Sequence, residues 1–239
     1  MESTAASILT RAVEMDKKEQ YTLALVLYQE GLQILVDSMK GLKDEKKKKH
    51  FSARIEQYFK RAEDLKELIR KRKAEGKYRE QMKIEAGSVG HGYRSLFGRF
   101  LDDTVTHVHI EDPYVRAYHQ CLNLVRLCEL AVQRCKSLSR VSLLTTQDPE
   151  DGKNQVKRLE ELRSNLATRL VTFEVKFSDT LHDRQISLSN GWVIKIGRGL
   201  DYFKAPEGKF VLGACDMELR PCLETTVDIF HTSHLERPL

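Results

Sequence analysis

The sequence predicts an α plus α/β protein. An antiparallel three-helix bundle is expected over residues 1–85, a flexible linker over 86–92, and an α/β domain with a mixed sheet over 93–239. Three observations predict this. Apolar residues recur at helical spacing in three successive stretches up to Ala74. Past the glycine-rich stretch Gly87–Gly92, short β-branched and aromatic runs alternate with helical ones, the pattern of helices layered on a sheet. Late in the chain, Asn190-Gly191 stands between two alternating runs, which predicts a β-hairpin with a type I′ turn.

The bulk properties narrow the class. A chain of 239 residues, 41% apolar and 31% charged, is a globular protein with a charge-rich helical part. No apolar run approaches the roughly 18 residues of a membrane span. The start, Met-Glu-Ser-Thr-Ala-Ala, lacks the basic-then-apolar layout of a signal peptide, so a cytoplasmic location is expected. The 5 cysteines include no pair at two-residue spacing, so no structural metal is expected. Cys121, Cys128 and Cys135 recur every seventh position and read as small apolar residues facing a core. Of the net charge of +5, all falls in residues 1–86, with 20 Lys/Arg against 15 Asp/Glu. So small an excess, without a basic groove interleaved with aromatics, argues against nucleic acid. It favours an acidic partner or an anionic membrane surface.

In the first domain, Ser3 or Thr4 can cap a helix whose stripe is Ile8, Leu9, Ala12 and Val13. A second helix runs from about Thr22 to Met39, with Ala24, Leu25, Tyr28, Leu32 and Leu35 on one side and Gly41 as its stop. Lys43 to His50 has no apolar period and is expected to be a solvated turn. The third helix, from about Phe51 to Ala74, carries Ile55, Phe59, Ala62, Leu65 and Ile69 in register. Three such helices with short connections make a bundle.

Arg-Ala-Val-Glu-Met-Asp at 11–16, Tyr-Thr-Leu-Ala-Leu-Val-Leu-Tyr-Gln-Glu-Gly at 21–31 and Tyr-Phe-Lys-Arg-Ala-Glu-Asp-Leu-Lys at 58–66 follow one another in order. Together they closely resemble the MIT domain. No repeat of about 34 residues supports the tetratricopeptide alternative. The resemblance implies a module that takes the helical C-terminal tails of ESCRT-III subunits (charged multivesicular body proteins) into the groove between its second and third helices. It places Phe59 as the groove hydrophobe, with Ala62, Glu63 and Lys66 as the remaining tail-binding positions. Lys60 stands where some relatives carry an acid.

In the second domain, Tyr93, Leu96, Phe97 and Phe100 predict a short amphipathic helix, and Val105 to Ile110 a strand. Asp112-Pro113 is expected to cap a helix running to about Arg134, with Tyr118, Cys121, Leu122, Val125 and Val132 as its stripe. A strand over 141–144, a helix over 153–168, a strand carrying Val171, Phe173, Val175 and Phe177, and the hairpin complete the order.

No nucleotide-binding glycine loop or serine elbow is present, and no cofactor is expected. The spacing of Glu111, Asp112 and Asp183 does not require a metal. His182 is the best nucleophile. Phosphodiesterases of the phospholipase D type use His-x-Lys-x-x-x-x-Asp, and from His182 this chain gives His182, Arg184 and Ser189 at those places. Arg184 keeps a bidentate phosphate contact. Ser189 cannot orient or charge-balance the histidine, so no catalytic residue is assigned.

Residues 190–203, residues 220–230 and Glu111-Asp112-Pro113-Tyr114 look like the phospholipase D-like domain that follows an MIT domain in one family. That resemblance implies a membrane-binding homodimer. Arg184, Lys195, Arg198, Lys204 and Lys209 are the expected lipid-phosphate contacts. It further implies a non-enzymatic adaptor on acidic or phosphoinositide membranes, at the late endosome and at the midbody in abscission. A dimeric phosphodiesterase using His182 is the alternative.

Overall fold

A computed structural model describes residues 2–40 and 44–232. The chain divides into two compact units, Met1–Glu80 and Gln81–Leu239.

The first unit is three helices, α1 (Glu2–Lys17), α2 (Tyr21–Met39) and α3 (Glu45–Ala74). Leu9 and Ala12 of α1, Ala24, Tyr28, Leu32 and Leu35 of α2, and Ala62, Leu65 and Ile69 of α3 are buried together. A Cβ on Gly31 would lie 2.7 Å from the Leu9 side chain, so a residue without one allows α1 and α2 to approach closely. The polar part of this core joins all three helices. Arg61 clasps Asp16 through Nε and Nη2 at 2.8 and 2.7 Å, and the Tyr28 hydroxyl donates to the same carboxylate at 3.2 Å. Farther along the chain, Glu80 accepts the Thr22 amide at 2.7 Å, satisfying an N–H that the first turn of α2 cannot pair.

Arg61 holds the Asp16 carboxyl below its ordinary pKa, while burial and that carboxylate push Tyr28 up to about 12. A carboxyl lowered in the folded state contributes stability above its unfolded pKa and loses it as pH falls through the folded value. A tyrosine raised in the folded state contributes below about pH 10 and loses it on the way to about 12. Arg61 is half-exposed, so screening keeps the clasp modest. Asp16→Ala is expected to cost about 1–2 kcal/mol near pH 7, with the gap closing below pH 4. Urea denaturation followed by circular dichroism checks this, and equal midpoints at pH 7 would refute it.

Several sequence expectations give way here. Ser3 and Thr4 lie inside α1 rather than at its cap. The lysine run is helical: Asp44 caps α3 by accepting from the Lys46 and Lys47 amides at 2.9 and 3.3 Å, so the helix begins at Glu45. A solvated helix end needs no apolar period, which is why the pattern failed to show it. Gly41 and Lys43 lie outside the described residues. Phe59 leaves the buried stripe and is 59% exposed. The third helix ends at Ala74 as expected, but Arg79–Ile84, within the 1–85 span expected for the bundle, is a strand.

The second unit holds a seven-stranded mixed sheet. Its strands are β1 (Arg79–Ile84), β2 (His107–Glu111), β3 (Arg140–Thr145), β4 (Thr172–Phe177), β5 (Gln185–Leu188), β6 (Trp192–Ile196) and β7 (Thr225–His231), in the order β1-β7-β6-β5-β2-β3-β4. β2, β3 and β4 run parallel, and the β2–β5, β5–β6 and β6–β7 pairs are antiparallel. Register aligns one apolar row, Val175–Leu143–Ile110–Ile186–Ile194–Ile229, across six strands. The adjacent row on the other face is Glu174–Ser142–His109–Ser187–Val193–Phe230. Helices α4 (Tyr93–Phe97), α5 (Tyr118–Arg134) and α6 (Gly152–Ala167) complete the unit.

Helix α5 starts later than expected and is rotated from the predicted stripe. Asp112 does not cap it. Its carboxylate accepts the Tyr114 amide at 2.9 Å and the Leu200 amide at 2.8 Å, and the Gln120 side chain takes the Ala117 amide at the helix start. The buried face is Cys121, Leu124, Leu127, Cys128, Leu130 and Ala131, whereas Tyr118 is exposed. Cys121, Cys128 and Cys135 are buried, and burial raises each thiol's pKa.

The hairpin forms without a type I′ turn. Ser187 pairs with Val193, and the Gly191 amide donates to the Leu188 carbonyl at 2.9 Å. Of Asn190 and Gly191, only Gly191 has positive φ, at 93°. This is a three-residue loop closed by a left-handed glycine. A second correction concerns 86–92, which is no slack linker. The Gly87 amide bonds the Cys222 carbonyl at 2.8 Å, Gly90 bonds Glu218 at 2.7 Å, and the Cys222 amide returns to Ser88 at 2.8 Å. Tyr202 donates to the His91 carbonyl at 2.8 Å. The glycines here serve positive φ, 82° at both Gly87 and Gly90, and the close approach of the Glu218 side chain to Gly92, not slack.

Candidate functional sites

On α3, Phe59, Glu63 and Lys66 fall one turn apart along an outward line, and all three side chains are exposed. Glu63 and Lys66 form a loose ion pair at 3.8 Å. Ala62 is buried in the packing between helices, and Lys60 is exposed. A large aromatic standing in water beside a carboxylate, over a small buried residue, can receive an apolar side chain and a cation from another helix.

Around the hairpin the sequence candidates separate. His182 and Asp183 lie in the loop before β5, exposed, and form no hydrogen bond or ion pair with the described residues. Ser189 lies beyond the other end of β5, where its Oγ accepts the Thr106 and His107 amides at 2.9 and 3.2 Å. It ties the hairpin tip to the segment before β2. Arg184 is held against the Gly197 carbonyl, with its guanidinium 4.7 Å from the centre of the Tyr114 ring. It borders a cleft of about 400 Å³ lined by Lys83, Arg198, Glu224, Thr225 and Thr226. Lys83 pairs with Glu85 and Glu224 at 3.1 and 3.5 Å, and Arg198 donates to the Glu224 carbonyl at 3.0 Å. Three cations and two threonines around one carboxylate can hold a phosphate.

The five expected lipid contacts therefore do not form one patch. Arg184 and Arg198 share this cleft. Lys195 lies on the sheet, opposite Gln185 and Asp228. Lys204 and Lys209 border a separate cavity of about 700 Å³, together with Arg126 and Arg220. Nearness along the chain brought the five together on paper, but β6 and the turn after it send them in three directions.

Sequence reasoning missed a polar chain across β3, β2 and β5. Arg140 reaches His107 Nδ1 at 3.1 Å, and His107 Nε2 and His109 Nδ1 meet Ser142 Oγ at 2.8 and 2.7 Å. His109 Nε2 lies 3.2 Å from Glu111, which accepts from Gln185 at 2.9 Å. Burial, helped by Arg140 and His109, lowers the His107 pKa to about 4, so that ring is neutral at neutral pH. The bond from His109 lowers the Glu111 carboxyl. The alternation His107-x-His109-x-Glu111 was the available signal, since period two puts all three on one face. The same period separates Glu111 from Asp112. Among the described residues, no group of three His, Cys, Asp or Glu side chains could hold a metal ion.

Comparison with known proteins agrees with both units. The pattern of the MIT (microtubule interacting and transport) domain matches residues 2–67. That of the phospholipase D-like domain at the C-terminus of MIT matches residues 90–231. MIT domain-containing protein 1 of Mus musculus is 45% identical over 238 residues, covering 99% of this chain and 96% of that relative. The three-helix unit with its Asp16–Tyr28–Arg61 clasp, the mixed-sheet unit with its hairpin, and these matches place the chain in the MIT domain-containing protein 1 family, in which an MIT domain is followed by a phospholipase D-like domain.

Proposed function

We propose that the protein is a non-enzymatic adaptor that binds the C-terminal tails of ESCRT-III subunits through α3 and an acidic or phosphoinositide membrane through its second unit. The observation that carries this reading is the exposure of Phe59 on α3, beside Glu63 and Lys66. A bundle this small leaves an aromatic in water at a cost, which a partner helix recovers. The membrane half is supported by the cations around the two cavities, each contributing about 1 kcal/mol near an anionic leaflet. Pairing of two copies as a homodimer would multiply such weak contacts. On this reading the protein acts on late endosomal membranes and at the midbody in abscission.

The lack of a catalytic role rests on His182. A nucleophilic histidine needs a partner that orients its ring, and Ser189 is engaged with backbone amides beyond the far end of β5. Arg184 in its cleft keeps phosphate binding without that chemistry.

Full-length protein mixed with anionic vesicles tests the membrane half, and a soluble phosphodiester tests the lack of catalysis. Co-sedimentation is expected, with Lys204→Glu and Lys209→Glu together weakening it about thirtyfold or more. A soluble phosphodiester is expected to remain uncleaved by wild type. Turnover that disappears in His182→Ala would replace the adaptor with a phosphodiesterase. Absence of sedimentation at low salt would remove the membrane half.

A further inference from the structure

The loop after Tyr202 has a feature unlike the rest of the unit. Phe210 is 101% exposed, Leu212 87% and Val211 42%, three adjacent apolar side chains standing in water. Lys204 and Lys209 precede them, and both are exposed. The base of this loop is firmly built. Gly213 has φ +81°, and a Cβ there would lie 2.9 Å from the Leu219 carbonyl oxygen, so the chain turns back at that point only with glycine. The largely buried Arg220 guanidinium donates to the Gly213 and Ala214 carbonyls. Asp216 accepts the Glu218 amide at 2.9 Å, and Glu218 in turn accepts the Gly92 and Ser95 amides at 3.1 Å. The apolar tip thus stands on a fixed pedestal.

Between this loop and α5 lies the 700 Å³ cavity, with Arg126, Lys204, Lys209 and Arg220 at its walls. Its one carboxylate, Asp201, is already engaged by His119, Gln120 and Asn123 at 3.0, 3.2 and 3.1 Å. Burial and the nearby Arg126 lower the Arg220 pKa, the mark of two guanidinium groups sharing a poorly solvated space. An apolar tip beside a cationic hollow matches the cross-section of an anionic leaflet, with acyl chains below and phosphates above.

We propose that Phe210, Val211 and Leu212 form a membrane-insertion loop, with the cavity behind them receiving the phosphate of an anionic lipid. This rests on the membrane-binding reading above and names the surface that performs it. Charge draws the unit to the leaflet, and the loop then enters the acyl boundary. The loop contribution resists salt while that of the lysines does not.

Two variants of the full-length protein test the loop. Phe210→Trp reports insertion, because vesicles containing lipids brominated high on the acyl chain quench an inserted indole, while Trp192 stays buried as a constant background. Phe210→Ser with Leu212→Ser removes the apolar tip without touching a packed residue. The expected results are quenching of Phe210→Trp, and at least about a tenfold loss of vesicle affinity in the double serine variant that persists in high salt. Wild-type sedimentation with no quenching, and with serine variants that bind as tightly, would overturn the loop and leave the adaptor standing. Failure of wild type to sediment would overturn both. Conversion of a dimeric wild type to a monomer by the serine pair, without quenching, would assign the tip to a second copy and also overturn insertion.

Discussion

Phe59→Asp is expected to reduce the affinity of the full-length protein for ESCRT-III tail helices by roughly thirtyfold to a thousandfold. A buried aromatic anchor at a helix-in-groove contact is commonly worth about 2–4 kcal/mol on truncation. The aspartate adds a carboxylate that would have to be desolvated under the bound helix. Because Phe59 is 59% exposed and leaves the buried stripe to Ala62, Leu65 and Ile69, the fold should not register its loss beyond about 0.5 kcal/mol. Fluorescence anisotropy with labelled tail peptides reads the affinity, and circular dichroism at 222 nm reads the helix. Unchanged affinity in a folded variant would end the assignment of α3 as the tail-binding face.

Gly199→Ala is expected to be the most damaging single change to the second unit. The residue has φ +62°, where an alanine costs about 1–2 kcal/mol, and its Cβ would lie 2.1 Å from Asp112 Oδ2. Either the turn after β6 unwinds or the carboxylate moves. Both break the bonds by which Asp112 holds the Leu200 and Tyr114 amides, and each buried orphan donor costs about 1–3 kcal/mol. A loss of about 3–5 kcal/mol follows, and with it a fall in Tm on the order of 10 °C. The same turn fixes Tyr93, whose hydroxyl donates to the Leu200 carbonyl at 2.6 Å, so the damage reaches the aromatic cluster of Tyr93, Phe97, Tyr202 and Phe203. Differential scanning calorimetry resolving the two units would show it, and a second-unit Tm within 2 °C of wild type would refute it.

The fold was largely legible because periodicity is a property of single elements. Helices α1 to α3, strands β2 to β6 and helix α6 each carry their own pattern within their own residues. What escaped depends on partners far along the chain. Strand β1 pairs with β7, contributed by residues 225–231, and nothing within Arg79–Ile84 announces that partner. The segment 86–92 reads as loose by composition, yet its bonds go to residues 202 to 222. The start of α3 escaped for a different reason: Asp44 supplies a cap, and the following lysines need no buried face.

The candidate sites were legible to a lesser degree. Phe59 was singled out by its place in a motif, although periodicity had counted it into the core stripe, and the structure shows it exposed. The five hairpin cations were grouped by sequence distance, which a strand and a turn then undid. The polar chain from Arg140 to Gln185 crosses three strands and so has no one-dimensional signature beyond its His-x-His-x-Glu piece. Phe210 to Leu212 are ordinary residues in sequence, and only their surroundings show that they are uncovered.

The Asp16–Tyr28–Arg61 clasp has a consequence for how such a module can diverge. Its members are the same letters by which an MIT domain is recognised in a sequence, and they face one another between helices rather than a partner. Phe59, Lys60, Glu63 and Lys66 are exposed on α3, the helix that carries Arg61, and share none of those bonds. The residues that mark the family and those proposed to meet a tail are therefore different sets, the first facing inward between α1, α2 and α3 and the second outward on α3. The outer set can be rewritten without opening the bundle, which the inner set keeps closed.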